Sequence, residues 1–303
     1  MPIVIPQTIP AYKVLERENI FVMTQRRAES QDIRPLEIAI LNLMPTKIET
    51  ETQLMRLLSN TPLQVNITLV ETETYKSSHT ARDHMERFYK TFDSIKDKML
   101  DGLIVTGAPV ETLEFDNVHY WEELKMIMDY ADKNVTSTIF ICWGAQAALF
   151  HYYGIGKKPL PKKMFGVFRN SAQAEFEPLL KGLDDTFYIP HSRHTTVDEE
   201  AVRACRKLKV IASGDECGLS IVKSADNRKF FFFGHSEYDR ETLKNEYLRD
   251  LNKGLAIDPP KNYFIDGDIE RINLSWRSTA NLIFYNWLNY YVYQVTPYLL
   301  EKK

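Results

Sequence analysis

The chain has 303 residues, 44% hydrophobic and 26% charged, which is enough apolar content for a sizeable core and too much for a disordered segment. With 38 Lys and Arg against 41 Asp and Glu the formal net charge is −3, without the basic excess of a nucleic-acid partner. The start, MPIVIPQTIPAYKVLEREN, lacks the basic region and apolar run of a secretory signal, and no stretch is long and apolar enough to span a membrane.

Apolar runs of strand length alternate with helix-period segments through the first half, the signature of a parallel sheet with crossover helices. In chain order the pattern predicts a strand over Leu36–Leu43, a helix near Thr46–Leu58, a strand over Val65–Val70 and a helix near Asp83–Ile95. A strand over Gly102–Thr106, a helix near Tyr120–Ala131, a strand over Thr138–Ile141 and a helix over Gly144–Tyr153 follow. After Gly154 the texture changes: KKMFGVFRN, DTFYIPHS, KVIASGDECGLSIVKS and KFFFFGHSE are strand-like pieces separated by Gly, Asp or Asn turns, expected as added antiparallel strands. Ser275–Tyr298 reads as a long aromatic helix. No repeat or flexible linker divides the chain, so residues 1–34 read as an N-terminal extension and 35–303 as one α/β domain with a doubly wound, mostly parallel sheet. The extension and the aromatic helix are candidate interface material for a homodimer. Three cysteines without spaced pairs fit neither a disulfide framework nor a zinc site, so a reducing, cytoplasmic setting is expected.

In FICWGAQAAL (140–149), Cys142 ends a strand and the next helix begins at once. Ligands of open α/β sheets gather at the carboxyl ends of the strands. A sulfur anion there gains from the unpaired N–H groups and positive end of the helix, and Gly144 permits a tight turn. The arrangement is a thiol form of the nucleophile elbow, in which the backbone N–H of Trp143 helps hold an oxyanion. The residues alone leave a second reading open, in which Cys142 is one more small buried apolar side chain. Cys205 lies in a charged, helix-like segment without a glycine turn, and Cys217 follows two carboxylates that disfavour a thiolate.

Of the seven histidines, His235 follows a strand of four phenylalanines and a glycine, and Glu237 sits two residues on, on the same side of an extended segment, where it can orient the imidazole. The alternative is a pair of exposed turn residues. His191 and His194, in PHSRHT, form a loop cluster that could serve instead; no second ligand pair accompanies them, so no metal site is expected. His79, His84, His119 and His151 lie in polar or helical contexts and read as surface or core residues.

With Cys142 at a strand-to-helix elbow and His235-Ser236-Glu237 later, the chain resembles the class I glutamine amidotransferase fold, which carries Cys and His-x-Glu in this order. It departs from that pattern at Phe140, where the amidotransferases have glycine, and it has no synthetase domain beside it. It is more similar to the homoserine O-acyltransferase branch of that fold. The resemblance is carried over nearly the whole chain by LNLMPTKIETE (41–51), TGAPVE (106–111), CWGAQA (142–147), PHSR (190–193) and GHSEYD (234–239).

The resemblance implies that Cys142 takes an acyl group from acyl-CoA as a thioester, with His235 as proton acceptor and Glu237 behind it, before L-homoserine collects it. It implies that Arg249 holds the homoserine carboxylate, helped by Lys163 and Ser192; without it, Arg249 and Lys163 read as solvated charges and Ser192 as a turn residue. The resemblance also implies acetyl-CoA as the donor, since in that family glycine at the place of Glu111 goes with succinyl transfer and glutamate with acetyl transfer, and a fixed carboxylate repels the free carboxylate of a succinyl chain. The competing role for Glu111 is a helix cap. No cofactor is implied beyond acetyl-CoA as substrate. Lys47, beside the first strand end, is expected to face the site as well, with no assigned role. The competing functions are succinyl transfer, a glutaminase-like or peptidase-like hydrolase using the same three residues, and a binding protein that keeps the fold without catalysis.

Overall fold

The computed structural model describes residues 3–18, 20, 22–24, 28, 34–74 and 80–296. The first half runs β1 (Ile3–Val4), α1 (Pro10–Arg17), β2 (Leu36–Leu41), α2 (Lys47–Leu58), β3 (Val65–Glu71), α3 (Arg82–Phe88), β4 (Tyr89–Thr91), β5 (Leu100–Val105), α4 (Trp121–Asn134), β6 (Val135–Ile141) and α5 (Trp143–Tyr153). The second half adds β7 (Lys157–Ala172), β8 (Thr186–Val197), α6 (Glu199–Ala204), β9 (Leu208–Gly214), β10 (Gly218–Ser224), β11 (Lys229–Phe232), α7 (Thr242–Asn252), β12 (Phe264–Ile265), β13 (Asp268–Ile272) and α8 (Arg277–Asn286).

An 11-stranded sheet has the order β1-β3-β2-β5-β6-β11-β10-β9-β7-β8, with β4 sharing the outer edge of β3. The strands from β1 to β11 are parallel to their neighbours and those beyond β11 antiparallel. The sheet is covered on both faces, which is why its central strands are apolar throughout. Ile38, Ile40, Ile104, Ile139 and Ile141 pack in one core with α2 and α8. Ala39, Leu103, Val105 and Phe140 pack in the other with α4 and α5. Each such fully buried aliphatic or aromatic side chain contributes about 1.5–3 kcal/mol.

The first-half strands lie where the hydrophobic runs place them. The helix expected over Asp83–Ile95 is shorter: it stops at Phe88, and Tyr89–Thr91 extends to pair with β3. The chain turns out because Tyr89 is buried, its hydroxyl bonded to Asn42 (2.8 Å) and Glu51 (3.0 Å). β11 also departs from the sequence pattern, which predicts an antiparallel strand. It pairs parallel with β6, Phe230 beside Ile139 and Phe232 beside Ile141, and antiparallel only with β10. Its phenylalanines alternate between the two cores, Phe230 and Phe232 in one, Phe231 and Phe233 in the other. A strand so apolar on both sides belongs at the seam between the two halves. The C-terminal helix follows its pattern to Asn286 and continues as a π-helical stretch, Trp287–Tyr293. Trp287 donates to Ser137 at 2.9 Å and lies over Gly102, where a Cβ would come 2.8 Å from its ring. The remainder of that expectation, residues 297 and 298, lies outside the described residues. In the N-terminal segment, Ile3 pairs beside Val65, and Ile3, Ile5, Ile9 and Leu15 are part of the core under α2. Among the described residues no helix is long and apolar enough to cross a membrane.

The parallel register brings the carboxyl ends of four strands side by side: Leu41 beside Val105, Val105 beside Phe140, and Ile141 beside Phe232. The segments that leave them, Asn42–Thr46, Thr106–Glu111, Cys142 and Phe233–Glu237, therefore meet at one edge of the sheet.

Candidate active site

Cys142 leaves β6 with φ 50° and ψ −114°, a positive φ that side chains rarely adopt, and stands at the N-cap of α5. Its N–H is held by the Phe232 carbonyl at 2.6 Å, and its own carbonyl accepts from Ala145 and Gln146. Gly144 is required by packing: a Cβ there would lie 2.7 Å from the Thr106 carbonyl, so only glycine lets α5 start this close to the end of β5. The first N–H groups of the helix, Trp143 among them, have no intrahelical acceptor. The Trp143 side chain lies in the core edge-on to Tyr120, so of this residue only the backbone stands at the helix start beside Cys142. Cys142 is buried but lines a cavity of about 500 Å³ together with His235, Glu111, Lys163, Ser192 and Arg249.

His235 faces the same cavity from the other side. Its Nδ1 is 2.7 Å from Glu237 Oε1, both side chains are buried, and the ring is hydrogen-bonded to Cys142. Nδ1 being engaged by the carboxylate, Nε2 is the nitrogen left for the sulfur. Burial by itself depresses the imidazole, but the charges of Cys142 and Glu237 and the hydrogen bonds to both outweigh it and raise His235 well above its ordinary value. Tyr238 stacks on the ring at 4.2 Å between centroids, and His235 N–H donates to the Pro190 carbonyl at 2.7 Å. Gly107 completes the wall, its α-carbon so near that a Cβ would lie 3.4 Å from Cys142 Cβ and 3.5 Å from His235 Cε1.

Lys163, Ser192 and Arg249 come together on one side of the cavity. Pro159 pairs with Thr195 but Met164 with Arg193, so β7 bulges between them and carries Lys163 inward. Its ammonium lies 3.2 Å from Asp250 and 3.7 Å from Glu246. Arg249 grips Asp250 Oδ1 through Nε (2.9 Å) and Nη2 (2.8 Å) while remaining half exposed. Burial works against the Asp250 carboxylate, yet the hydrogen bonds from Arg249 and Lys163 hold it below its usual range. Sequence reasoning missed Glu246. It accepts from Ser192 Oγ (2.6 Å) and Tyr238 Oη (3.0 Å), and its signal was its place one helical turn before Arg249, where both share a face of α7.

Glu111 caps no helix. Its Oε2 accepts from the backbone N–H of His194 (2.9 Å) and Thr195 (3.1 Å) and from Thr195 Oγ1 (3.0 Å), and the 3-10 turn at Phe115–Asn117 has Glu114 at its cap position without a side-chain bond. The carboxylate is thus fastened to β8 at the cavity wall.

His191 and His194 lie on β8 rather than in a loop, and strand alternation separates them, His191 buried and His194 exposed. Burial, with Arg193 and His235 nearby, pushes His191 well below its ordinary value, so it is neutral. His84 and His151 are bonded to Glu51 and Asp129, and His79 lies outside the described residues. Cys217 is buried and its thiol is pushed up, chiefly by burial rather than by the carboxylates before it in sequence. Lys47 does not line the cavity; its ammonium donates to the Asn42 carbonyl at 2.6 Å, and burial, opposed by Glu71 and Glu51, brings it down to about 8. Among the described residues no group of three or more His, Cys, Asp or Glu side chains is placed to hold a metal ion.

Residues 2–298 match the sequence model of a family described as homoserine O-succinyltransferase. The chain is 54% identical to a homoserine O-acetyltransferase of Shouchella clausii, covering 99% of this chain and 98% of that protein. It is 56% identical to proteins of the same name from Bacillus cereus, over 99% and 100% of the two chains, and Acetivibrio thermocellus, over 100% and 99%. In fold it is similar to a glutamine amidotransferase from Thermotoga maritima, with TM-score 0.58, 12% identity and 86% and 99% of the chains covered. A glutamine amido transferase from Methylobacillus flagellatus gives TM-score 0.52 and 15% identity over 85% and 95%.

Proposed function

The chain belongs to the homoserine O-succinyltransferase family, and from that premise we propose that it is a homoserine O-acetyltransferase, moving the acetyl group of acetyl-CoA to the hydroxyl of L-homoserine through a thioester on Cys142. The product feeds methionine synthesis. The observation that carries the reading is the buried line Glu237–His235–Cys142 opening onto a cavity with a fixed carboxylate, Glu111, at its wall.

In the first half-reaction the proton of the Cys142 thiol already rests on His235 Nε2, and the sulfur anion attacks the acetyl carbonyl. The tetrahedral oxyanion is met by the Trp143 N–H at the helix start. Its collapse expels the coenzyme A thiolate, which takes the proton from His235 and leaves as the free thiol. In the second, His235 accepts the homoserine hydroxyl proton as that oxygen attacks the thioester, and the collapse of the second intermediate returns the thiolate to Cys142. Glu237 stabilises the imidazolium in both steps. Thioester exchange is nearly balanced in energy, so the acyl-enzyme can form before homoserine binds and the kinetics are ping-pong.

Homoserine is a zwitterion, and the wall opposite the thiol carries both kinds of partner. Arg249 and Lys163 take its carboxylate, and Glu246, whose oxygens now accept only hydroxyls at hydrogen-bond distance, takes its ammonium with Ser192 beside it. A succinyl chain placed where the acetyl methyl sits would bring its free carboxylate toward Glu111. The test is coenzyme A release from acetyl-CoA and succinyl-CoA, each with homoserine, using Cys142→Ala as the blank. Turnover with acetyl-CoA alone supports the reading, equal or preferred use of succinyl-CoA overturns the donor assignment, and homoserine-independent hydrolysis or glutamine turnover overturns the acceptor.

A further inference from the structure

Tyr238 touches both ends of the site. Its ring lies on the His235 imidazole with 4.2 Å between centroids and 14° between planes, and its hydroxyl donates to Glu246 Oε1 at 3.0 Å. Burial first, then the charges of Glu246 and Glu237, push the phenol well above its ordinary value, so it keeps its proton and acts as a donor. The backbone of the residue is fixed without help from the side chain: its N–H donates to the His235 carbonyl (3.3 Å) and its carbonyl accepts from Trp276 Nε1 (2.9 Å). A buried turn thus presents the ring face to the imidazole and aims the hydroxyl at α7.

Each contact answers a need of the chemistry. His235 carries its proton in a buried setting, where burial opposes the charge. An aromatic face over an imidazolium attracts it without adding a formal charge, and it blocks the ring from turning off the line between Glu237 and Cys142. The second need concerns Glu246. Its Oε2 lies 3.7 Å from the Lys163 ammonium, beyond hydrogen-bond contact, and a carboxylate free to rotate would close that gap, since the attraction rises as the distance falls. The closed pair would cancel both the anion that meets the acceptor's ammonium and the cation that meets its carboxylate. Two hydroxyls hold Glu246 back, Ser192 Oγ on Oε2 at 2.6 Å and Tyr238 Oη on Oε1 at 3.0 Å, while Lys163 turns to Asp250 at 3.2 Å. Tyr238, Glu246 and Lys163 line the same cavity, so this spacing is set where the acceptor binds.

We propose that Tyr238 is a positioning residue for acyl transfer: its ring holds the plane of His235, and its hydroxyl keeps Glu246 apart from Lys163 and open to the ammonium of the acceptor. The proposal rests on His235 as the base and on homoserine as the acceptor. The two contacts fail separately, because phenylalanine keeps the ring and removes only the hydroxyl.

The test splits the half-reactions in the full-length protein. Acetylation of Cys142 by acetyl-CoA is followed by intact mass in a single turnover, and the KM for homoserine by coenzyme A release, in the parent, Tyr238→Phe, Tyr238→Leu and Glu246→Gln. Tyr238→Phe should acetylate at the parental rate and raise the KM for homoserine on the order of tenfold, the effect of one hydrogen bond to a charged group. Tyr238→Leu should in addition slow acetylation on the order of tenfold, as expected when a desolvated cation loses its aromatic face. In Glu246→Gln, which offers Lys163 no charge to capture, adding Tyr238→Phe should change the KM by less than about threefold. A phenylalanine variant with the parental KM, one that slows acetylation as much as leucine does, or a phenylalanine effect that persists in full in Glu246→Gln overturns the proposal. So does a leucine variant that melts cooperatively and acetylates at the parental rate; should leucine fail to fold, the phenylalanine variant and its cycle with Glu246→Gln decide. A parent that is not acetylated, or whose acetyl group homoserine does not discharge, sinks the underlying reading, whereas a parent that completes both steps beside an unaffected phenylalanine variant sinks only the role of Tyr238.

Discussion

Replacing Glu111 by glycine should convert the donor preference, and the structure gives the size of the change. The carboxylate is held by three donors from His194 and Thr195, so it cannot swing away from an incoming charge. A succinyl carboxylate brought within ~5 Å of it would be repelled by about 3 kcal/mol at an effective dielectric near 20, roughly a 100-fold penalty in rate. Glycine removes that repulsion and leaves two backbone N–H groups without an acceptor, which a succinyl carboxylate can take in charge-assisted hydrogen bonds. The expected outcome is a rise in kcat/KM for succinyl-CoA of about 100-fold or more and a smaller fall for acetyl-CoA. Glu111→Gln, which removes the charge but not the volume, should give only part of that rise. Both donors are compared by thiol release at fixed homoserine. A donor ratio in Glu111→Gly within threefold of the parent would show that the carboxylate does not govern the choice.

Three other outcomes follow from the same geometry. The positive φ of Cys142 stores strain that glycine escapes, so Cys142→Gly should be about 1 kcal/mol more stable than Cys142→Ala in denaturant titration, though both are inactive; equal midpoints would place the strain elsewhere. His191 is neutral in the folded protein but takes a proton near pH 6.5 when unfolded, so stability falls as pH drops below that value, whereas His235 keeps its proton in the folded protein and contributes stability that is present below pH 6.5 and lost as pH rises above it. Melting curves across pH should therefore show His191→Gln flattening the acid side and Glu237→Gln the alkaline side, and the reverse assignment would contradict both directions. Arg249→Gln should raise the KM for homoserine about 10- to 100-fold with little change in the rate of acetylation of Cys142, measured separately in a single-turnover reaction; loss of the first step would mean that Arg249 serves the donor.

The parts of the fold legible in the sequence were those set by local pattern. Buried-on-both-faces strands such as β2 and β5 announce themselves as unbroken apolar runs, and the elbow at Cys142 follows from a strand, a thiol and a glycine in close order. The direction of β11 was not legible, because KFFFF reads the same whether its neighbour runs with it or against it; the choice is made by β6 on one side and β10 on the other. Nor does sequence separate Tyr89–Thr91 from the helix before it, since the chain turns there to bury a hydroxyl between Asn42 and Glu51, residues far away along the chain. Candidate site residues defined by their own backbone turn or by a neighbour two residues on, Cys142 and His235 with Glu237, could be proposed from spacing. Lys163 could not be derived that way, because only the bulge opposite Thr195–Arg193 turns it inward, and Glu246 drew no notice because its partners, Ser192 and Tyr238, come from other segments.

The decisive observation is what acetyl-CoA does to the protein in the absence of homoserine. Intact mass should show one acetyl group, mapped to Cys142 by peptide analysis, absent from Cys142→Ala and discharged when homoserine is added. Acetylation at another residue, or steady turnover by the alanine variant, would contradict the thioester route.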